Sequence, residues 1–149
     1  MRVRALWKVP AVGSIVDNYG TGEQGTTLAA VDVETGMVLR AVLGAGEDMR
    51  LVEHHPETGY PLTGTRVPQW AEILQVLERA TMSFSGFRFQ HWDVGITLGG
   101  PVLFELNSAD NTSGLQFAYG TGIYDAPLKA FLRKDARRRR QPGTLFPSH

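Results

Sequence analysis

The chain has 149 residues, 42% hydrophobic and 20% charged, with no cysteine and a formal net charge of zero. One domain of this length buries roughly two thirds of its unfolded surface, so a true core is expected, and the composition argues against a disordered chain. Without cysteine there are no disulfides, thiolate zinc sites or thiol nucleophiles, which fits a cytoplasmic setting.

In chain order, Arg2 to Val9 reads as a first strand. Basic residues before an apolar stretch superficially resemble a signal peptide, but Lys8, Pro10, Gly13 and Asp17 interrupt it too early. A polar, glycine-rich loop runs from Asp17 to Gly25. Thr26–Val33 and Met37–Leu43 are short runs rich in Val and Thr, joined at Glu34-Thr35-Gly36, and predict a hairpin. Gly44 to Pro68 reads as irregular. A helix is expected from Pro68, where a missing N–H costs nothing. Trp70, Ile73, Leu74, Leu77 and Thr81 fall on one helical face, with Glu72 and Glu78 off it. Two strands follow, Phe87–Leu98 and Pro101–Asn107, then a polar loop and a terminal helix over Asp125–Arg133. No run reaches the ~18 apolar residues of a membrane span.

Charge is unevenly spread. Residues 1–132 carry 9 basic and 14 acidic side chains, and residues 133–149 carry 6 and 1. Residues 1–133 therefore read as one domain and 134–149 as a basic, disordered tail. Arg137 to Arg140 beside Pro-Gly read as a solvated terminus, since no aromatic platform or recognition helix accompanies them. Nucleic acid is not an expected partner.

Three further motifs have ordinary explanations. Gly20 to Gly25 spells G-x-G-x-x-G, but a dinucleotide loop must open a helix, and here the exit segment reads as a strand. His54-His55-Pro56 lacks the spacing of a metal pair, so both histidines are expected on an exposed loop. Asn111-Thr112-Ser113 fits a glycosylation sequon, which carries no weight without a secretory signal.

The strands FRFQHWDVGITL and PVLFELN hold the strongest signal. A two-residue turn at Gly99-Gly100 would set Asp93 opposite Leu106 and mix polar with apolar residues on one face. A three-residue loop, Leu98-Gly99-Gly100, pairs Thr97 with Pro101 and Asp93 with Glu105. Trp92, Val94, Ile96, Leu98, Val102, Phe104 and Leu106 then share one face, and His91, Asp93, Glu105 and Asn107 the other. A one-residue slip inverts a strand's faces, so this clean separation favours the odd loop. Two carboxylates then face each other at a Cβ separation of about 4.5–5.5 Å. Like charges that close call for a cation or a proton. Asp93, Glu105 and the Asn107 amide oxygen make a hard-oxygen set suited to Mg²⁺, which keeps water and phosphate as its other ligands. The plain alternative is a solvated hairpin face with incidental acids.

Asp93 followed by Glu105-Leu106-Asn107 resembles, in residue type, order and spacing, the magnesium-holding strands of the ATP-grasp C-terminal lobe. A longer likeness points to the sugar-transfer-associated ATP-grasp group, which is related to glutamate-ligase-like proteins. It is carried by Val16-Asp17-Asn18, Val31-Asp32-Val33-Glu34-Thr35-Gly36, His55-Pro56-Glu57-Thr58-Gly59, Val67-Pro68-Gln69-Trp70, Trp92-Asp93-Val94 and Gly100 to Asn107. It covers about residues 7–132. His91 stands where the group commonly has glycine, and Thr21 to Gln24 enlarge the loop after Asn18.

The resemblance implies an α+β fold, a mainly antiparallel sheet with one or two packed helices, the 68–82 helix lying on its apolar face. It further implies that an N-terminal half, with a phosphate-binding lysine and most of the adenine pocket, is absent. The activity implied is ATP-dependent carboxylate–amine ligation. The γ-phosphoryl group passes to a carboxylate, and an amine then displaces phosphate from the acyl phosphate. On this likeness Asp93, Glu105 and Asn107 hold Mg²⁺ and ATP, while Lys8 and Asn18 lie near phosphate or acyl phosphate. Lys8 reads equally well as an ordinary exposed strand lysine. Arg88 falls on the face opposite Asp93, and His91 either contacts substrate or packs beside the acids. Expected partners are ATP, a small carboxylate or amine substrate, and either a second chain supplying the missing lobe or a second copy. The alternative is a non-catalytic module, or a truncated relic, that docks a partner lobe.

Overall fold

A computed structural model describes residues 4–14, 25–44, 46–87, 89–107 and 112–139, with backbone alone for 127 and 135–139. Asn18, the Gly20–Gln24 stretch, Arg88, Asn111 and residues 140–149 lie outside the described residues.

The first four strands, β1 (Ala5–Val9), β2 (Thr27–Val31), β3 (Val38–Leu43) and β4 (Arg50–Val52), form one antiparallel sheet in sequential order. Helix α1 spans Trp70–Ser83, followed by the two-stranded ribbon β5 (His91–Thr97) and β6 (Gly100–Asn107). Helices α2 (Ser113–Tyr119) and α3 (Ala126–Arg139) complete an α+β fold built on antiparallel sheets.

All five residues of β2 are buried, because the sheet is covered on both faces. One layer joins Ala29, Val31, Val38 and Ala41 to Leu62, Val67 and Ile73, with Trp7, Trp70, Leu77 and Val94 packed against them. The opposite layer sets Leu28, Ala30 and Val42 beneath Ala118, with Leu6, Phe117 and Tyr119 around them. The expected α1 stripe is thus in place, with Ile73 and Ala80 buried and Glu72 and Glu78 exposed.

Two elements differ from expectation. Arg50–Val52 joins the sheet as a three-residue edge strand from a segment read as irregular. Residues 113–119, read as polar loop, form α2. A seven-residue helix shows no usable periodicity and depends on tertiary packing. Here Ala118 is fully buried, and the Tyr119 hydroxyl lies 2.7 Å from the Val31 carbonyl and 3.0 Å from that of Ala5. Burial pushes the Tyr119 phenol up, which keeps it a donor. Helix α3 opens at Asp125, whose Oδ1 accepts the Leu128 N–H at 3.0 Å while Oδ2 takes Arg4 at 3.1 Å, and it continues to Arg139.

Two motifs far apart in sequence meet at the β2–β3 turn. Oδ1 of Asp32 accepts the N–H groups of Glu34 and Thr35, both at 2.9 Å, and the Thr35 hydroxyl at 3.0 Å. Trp70 Nε1 donates to the Val33 carbonyl at 3.0 Å, and Val67 N–H to that of Gly36 at 2.9 Å. The indole closes over Gly36, whose φ is 75°, so that an added Cβ would lie 2.4 Å from Trp70 Cγ.

Gly36→Ala should therefore cost more than the ~1–2 kcal/mol of a left-handed alanine, because Trp70 must also move. Gly59→Ala, at φ 68° in open space, should show the backbone cost alone. Equal urea midpoints for the two variants would show that Trp70 imposes no constraint. The Asp32 carboxyl sits below its ordinary 3.8, chiefly through the Thr35 N–H and hydroxyl bonds. A depressed carboxyl stabilises the fold above its unfolded value and loses that contribution as pH falls through the folded value. Asp32→Asn should thus flatten the decline in stability below about pH 4. An unchanged acid limb would place the acid sensitivity elsewhere.

Candidate functional site

The β5–β6 ribbon carries the acidic pair. His91 pairs with Asn107, Trp92 with Leu106 and Asp93 with Glu105, so His91, Asp93, Glu105 and Asn107 share one face as expected. The turn is shorter than expected. Thr97 pairs with Gly100, leaving a two-residue loop of Leu98-Gly99, and a bulge beside Asp93–Val94 restores the register. The Thr97 hydroxyl closes this turn, donating to the Gly100 carbonyl at 2.7 Å and accepting the Gly99 N–H at 3.2 Å.

The bulge changes which apolar residues flank the acids. Val94 pairs with Leu103 and Gly95 with Val102, leaving Phe104 as the extra residue. Phe104 and Val102 therefore leave the predicted apolar face. The Phe104 ring lies over Gly95, where an added Cβ would come within 2.4 Å of it, and the residue is 72% exposed. Leu98, predicted on that same face, projects from the turn into solvent.

Side-chain amides fasten the ribbon to α1. Gln69 Nε2 donates to the Thr97 carbonyl at 2.7 Å, from a residue held at φ 55° ahead of the helix. At the other end, Gln90 Nε2 donates to the carbonyls of Phe84 and Phe87 at 2.8 and 2.9 Å. Its Oε1 accepts from Trp92 Nε1 at 2.9 Å, and the Trp92 ring meets Phe84 edge-on at 5.4 Å.

Two basic side chains approach Asp93. Lys8 Nζ lies 3.9 Å from its Oδ1 and His91 Nε2 lies 3.6 Å from the same atom, all three side chains about one-third exposed. Lys8 belongs to β1, opposite Leu28, so the structure brings together residues 85 positions apart. An exposed pair at this distance contributes at most about 1 kcal/mol. Its consequence is directional, since it sets positive charge beside one of two carboxylates that repel. Glu105 is exposed, and Asn107 is half-buried at the ribbon's end.

A second motif closes on β1. His55 is 3% exposed, which corrects the expectation of an exposed loop histidine. Its Nδ1 accepts the N–H groups of Glu57 at 3.4 Å and Thr58 at 3.3 Å, so Nε2 carries the proton and donates to the Pro10 carbonyl at 3.1 Å. Glu57 accepts the Val12 N–H at 2.5 Å. His54 is exposed. Adjacent residues point apart, which disqualifies the pair as metal ligands and lets one of them serve the interior.

Among the described residues no group of three or more His, Asp and Glu side chains is gathered for a metal ion. The acidic set is two carboxylates and an amide, a donor count that suits Mg²⁺ retaining water and phosphate. No helix among the described residues is long and apolar enough to cross a membrane.

The ordered motifs, their meeting at the β2–β3 turn and the acidic ribbon agree with one further observation. A family model described as sugar-transfer associated ATP-grasp matches residues 1–131. The chain belongs to the sugar-transfer associated ATP-grasp family. Membership supports an ATP-grasp-type, ATP-binding fold for the region that contains both sheets. Neither the curated proteins nor the solved structures give a match. Within this ATP-grasp framework the bracing roles of Gln69, Gln90, His55 and Glu57 were not evident from sequence. The Val-Pro-Gln-Trp and His-Pro-Glu-Thr-Gly motifs were visible signals for all but Gln90.

Glu105→Gln should leave stability unchanged or raise it by up to about 1 kcal/mol in the absence of metal, because it removes one of two opposed charges. The Lys8–Asp93–His91 grouping stays intact in that variant. A clear loss in the urea midpoint would mean that the Glu105 carboxylate has a structural role.

Proposed function

We propose that this chain is the Mg-ATP-binding lobe of an ATP-dependent carboxylate–amine ligase-like protein and is inactive by itself. The observation that carries the reading is the placement of Lys8 beside the cross-strand Asp93–Glu105 pair. Asp93, Glu105 and Asn107 would hold Mg²⁺, which supplies neutralisation and orientation of the ATP phosphates. The Lys8 ammonium, on β1 of the four-stranded sheet, gives a second cation near transferred phosphate. Asn18 is assigned to the same phosphate or acyl-phosphate region on the family likeness. Phosphoryl transfer needs donor and acceptor held in line. The exposure of Glu105 and Phe104 leaves that closure to a second lobe, in this chain or another.

A second reading is a non-catalytic module that docks a partner lobe. It is favoured by Val102 and Phe104 beside the acids and by Phe84, Phe87 and Phe89 after α1, all 42–72% exposed. Association of the chain with itself that persists without nucleotide, and is unmoved by Mg-ATP, is the result this reading requires.

Calorimetric titration with ATP, with and without Mg²⁺, separates the two. Magnesium-dependent binding is expected in the wild type, with affinity at least about tenfold weaker in Asp93→Asn and Glu105→Gln, since each removes a charged ligand. Equal affinity in all three proteins would overturn the metal assignment.

A further inference from the structure

We propose that Glu57, seated by the buried His55 loop, is a positioning residue for Lys8. Among the described residues Lys8 lies on an edge strand of the four-stranded sheet, in ladder with β2, and that ladder ends one residue later at Val9–Thr27. Beyond that point the chain needs other partners. Pro10 has no N–H, and its carbonyl is taken by His55 Nε2 at 3.1 Å. The Val12 N–H is taken by the Glu57 carboxylate at 2.5 Å, and the Ala11 carbonyl by the Ser14 N–H at 3.1 Å.

The clamp is itself rigid. His55 N–H donates to the Tyr60 carbonyl at 2.8 Å and Gly59 N–H to the His55 carbonyl at 2.9 Å, closing a tight loop. The two N–H groups on His55 Nδ1 hold Glu57 in place from behind. A carboxylate bonded to a single backbone amide of another segment is a charge-assisted contact, stronger than a neutral one. Glu57 therefore spans 45 residues to fix the turn that follows Lys8. Loss of that bond frees the end of β1 to fray, and the Lys8 ammonium with it.

The functional meaning rests on reading Lys8 as part of the nucleotide site, so two measurements are paired on the full chain. The first is the rate of acetylation of the Lys8 amine by an activated acetyl ester, followed by peptide mass spectrometry. Glu57→Ala should raise that rate about threefold through local opening, with Lys129 unchanged and the thermal midpoint within about 2 °C. Glu57→Gln keeps an acceptor oxygen without the charge and should recover most of the wild-type rate. Glu53→Ala removes an equal charge from the same region and should have no effect. The second is Mg-ATP titration, in which Glu57→Ala should bind about tenfold more weakly and Glu57→Gln only about twofold to threefold more weakly than wild type. An unchanged Lys8 rate in Glu57→Ala, or no rescue by Glu57→Gln, overturns the positioning role. A raised, rescued Lys8 rate in a protein that does not bind Mg-ATP supports positioning and overturns the nucleotide-site reading instead.

Discussion

Asp93 and Glu105 face each other across β5 and β6, and two carboxylates at cross-strand distance repel unless positive charge lies close by. A two-stranded ribbon is at best marginally stable in water, so this one cannot absorb the repulsion unaided. Its stability comes from outside. Val94 packs into the main core, Gln69 ties the turn to the start of α1, and Gln90 ties the first strand to its end. Lys8 then arrives from the four-stranded sheet with the nearest permanent positive charge that the described contacts give Asp93. The acidic face is thus held by elements that are themselves cross-braced, at Gly36 by Trp70 and at Pro10 by His55.

Much of this was legible in sequence, for reasons that can be named. The α1 stripe and the β2–β3 hairpin follow from periodicity and from an Asp-x-Glu-Thr-Gly turn whose side chains satisfy their own backbone. Parity along β5 and β6 was enough to put Asp93 opposite Glu105. Burial of β2 on both faces was also written in Thr-Leu-Ala-Ala-Val, which never alternates, although one apolar face was expected. Alternation along the strands gives the right pair but the wrong turn, because a period of two carries no mark of a bulge.

What escaped the reading depends on contacts between distant segments. The helix over 113–119 has too few residues for a pattern and exists through Ala118 and Tyr119 docking on β2 and β1. The burial of His55 depends on a carbonyl 45 residues earlier. Lys8 beside Asp93 depends on how a ribbon packs against an edge strand, which neither strand's own sequence encodes.

The bulge at Phe104 gives the ribbon two routes to the same acidic pairing. A three-residue tip with regular strands and a two-residue tip with a bulge both set Asp93 against Glu105. Insertion of one residue at Leu98-Gly99 can therefore be taken up by ironing out the bulge, while the strand ends bearing His91, Asp93, Glu105 and Asn107 stay in step. Pro101, Val102, Leu103 and Phe104 would exchange faces. Length changes at the tip thereby become a means of exchanging Val102 and Phe104 for Leu103 and Pro101 beside an unaltered acidic row, so the lineage can retune which apolar side chains border the site without rebuilding what it holds.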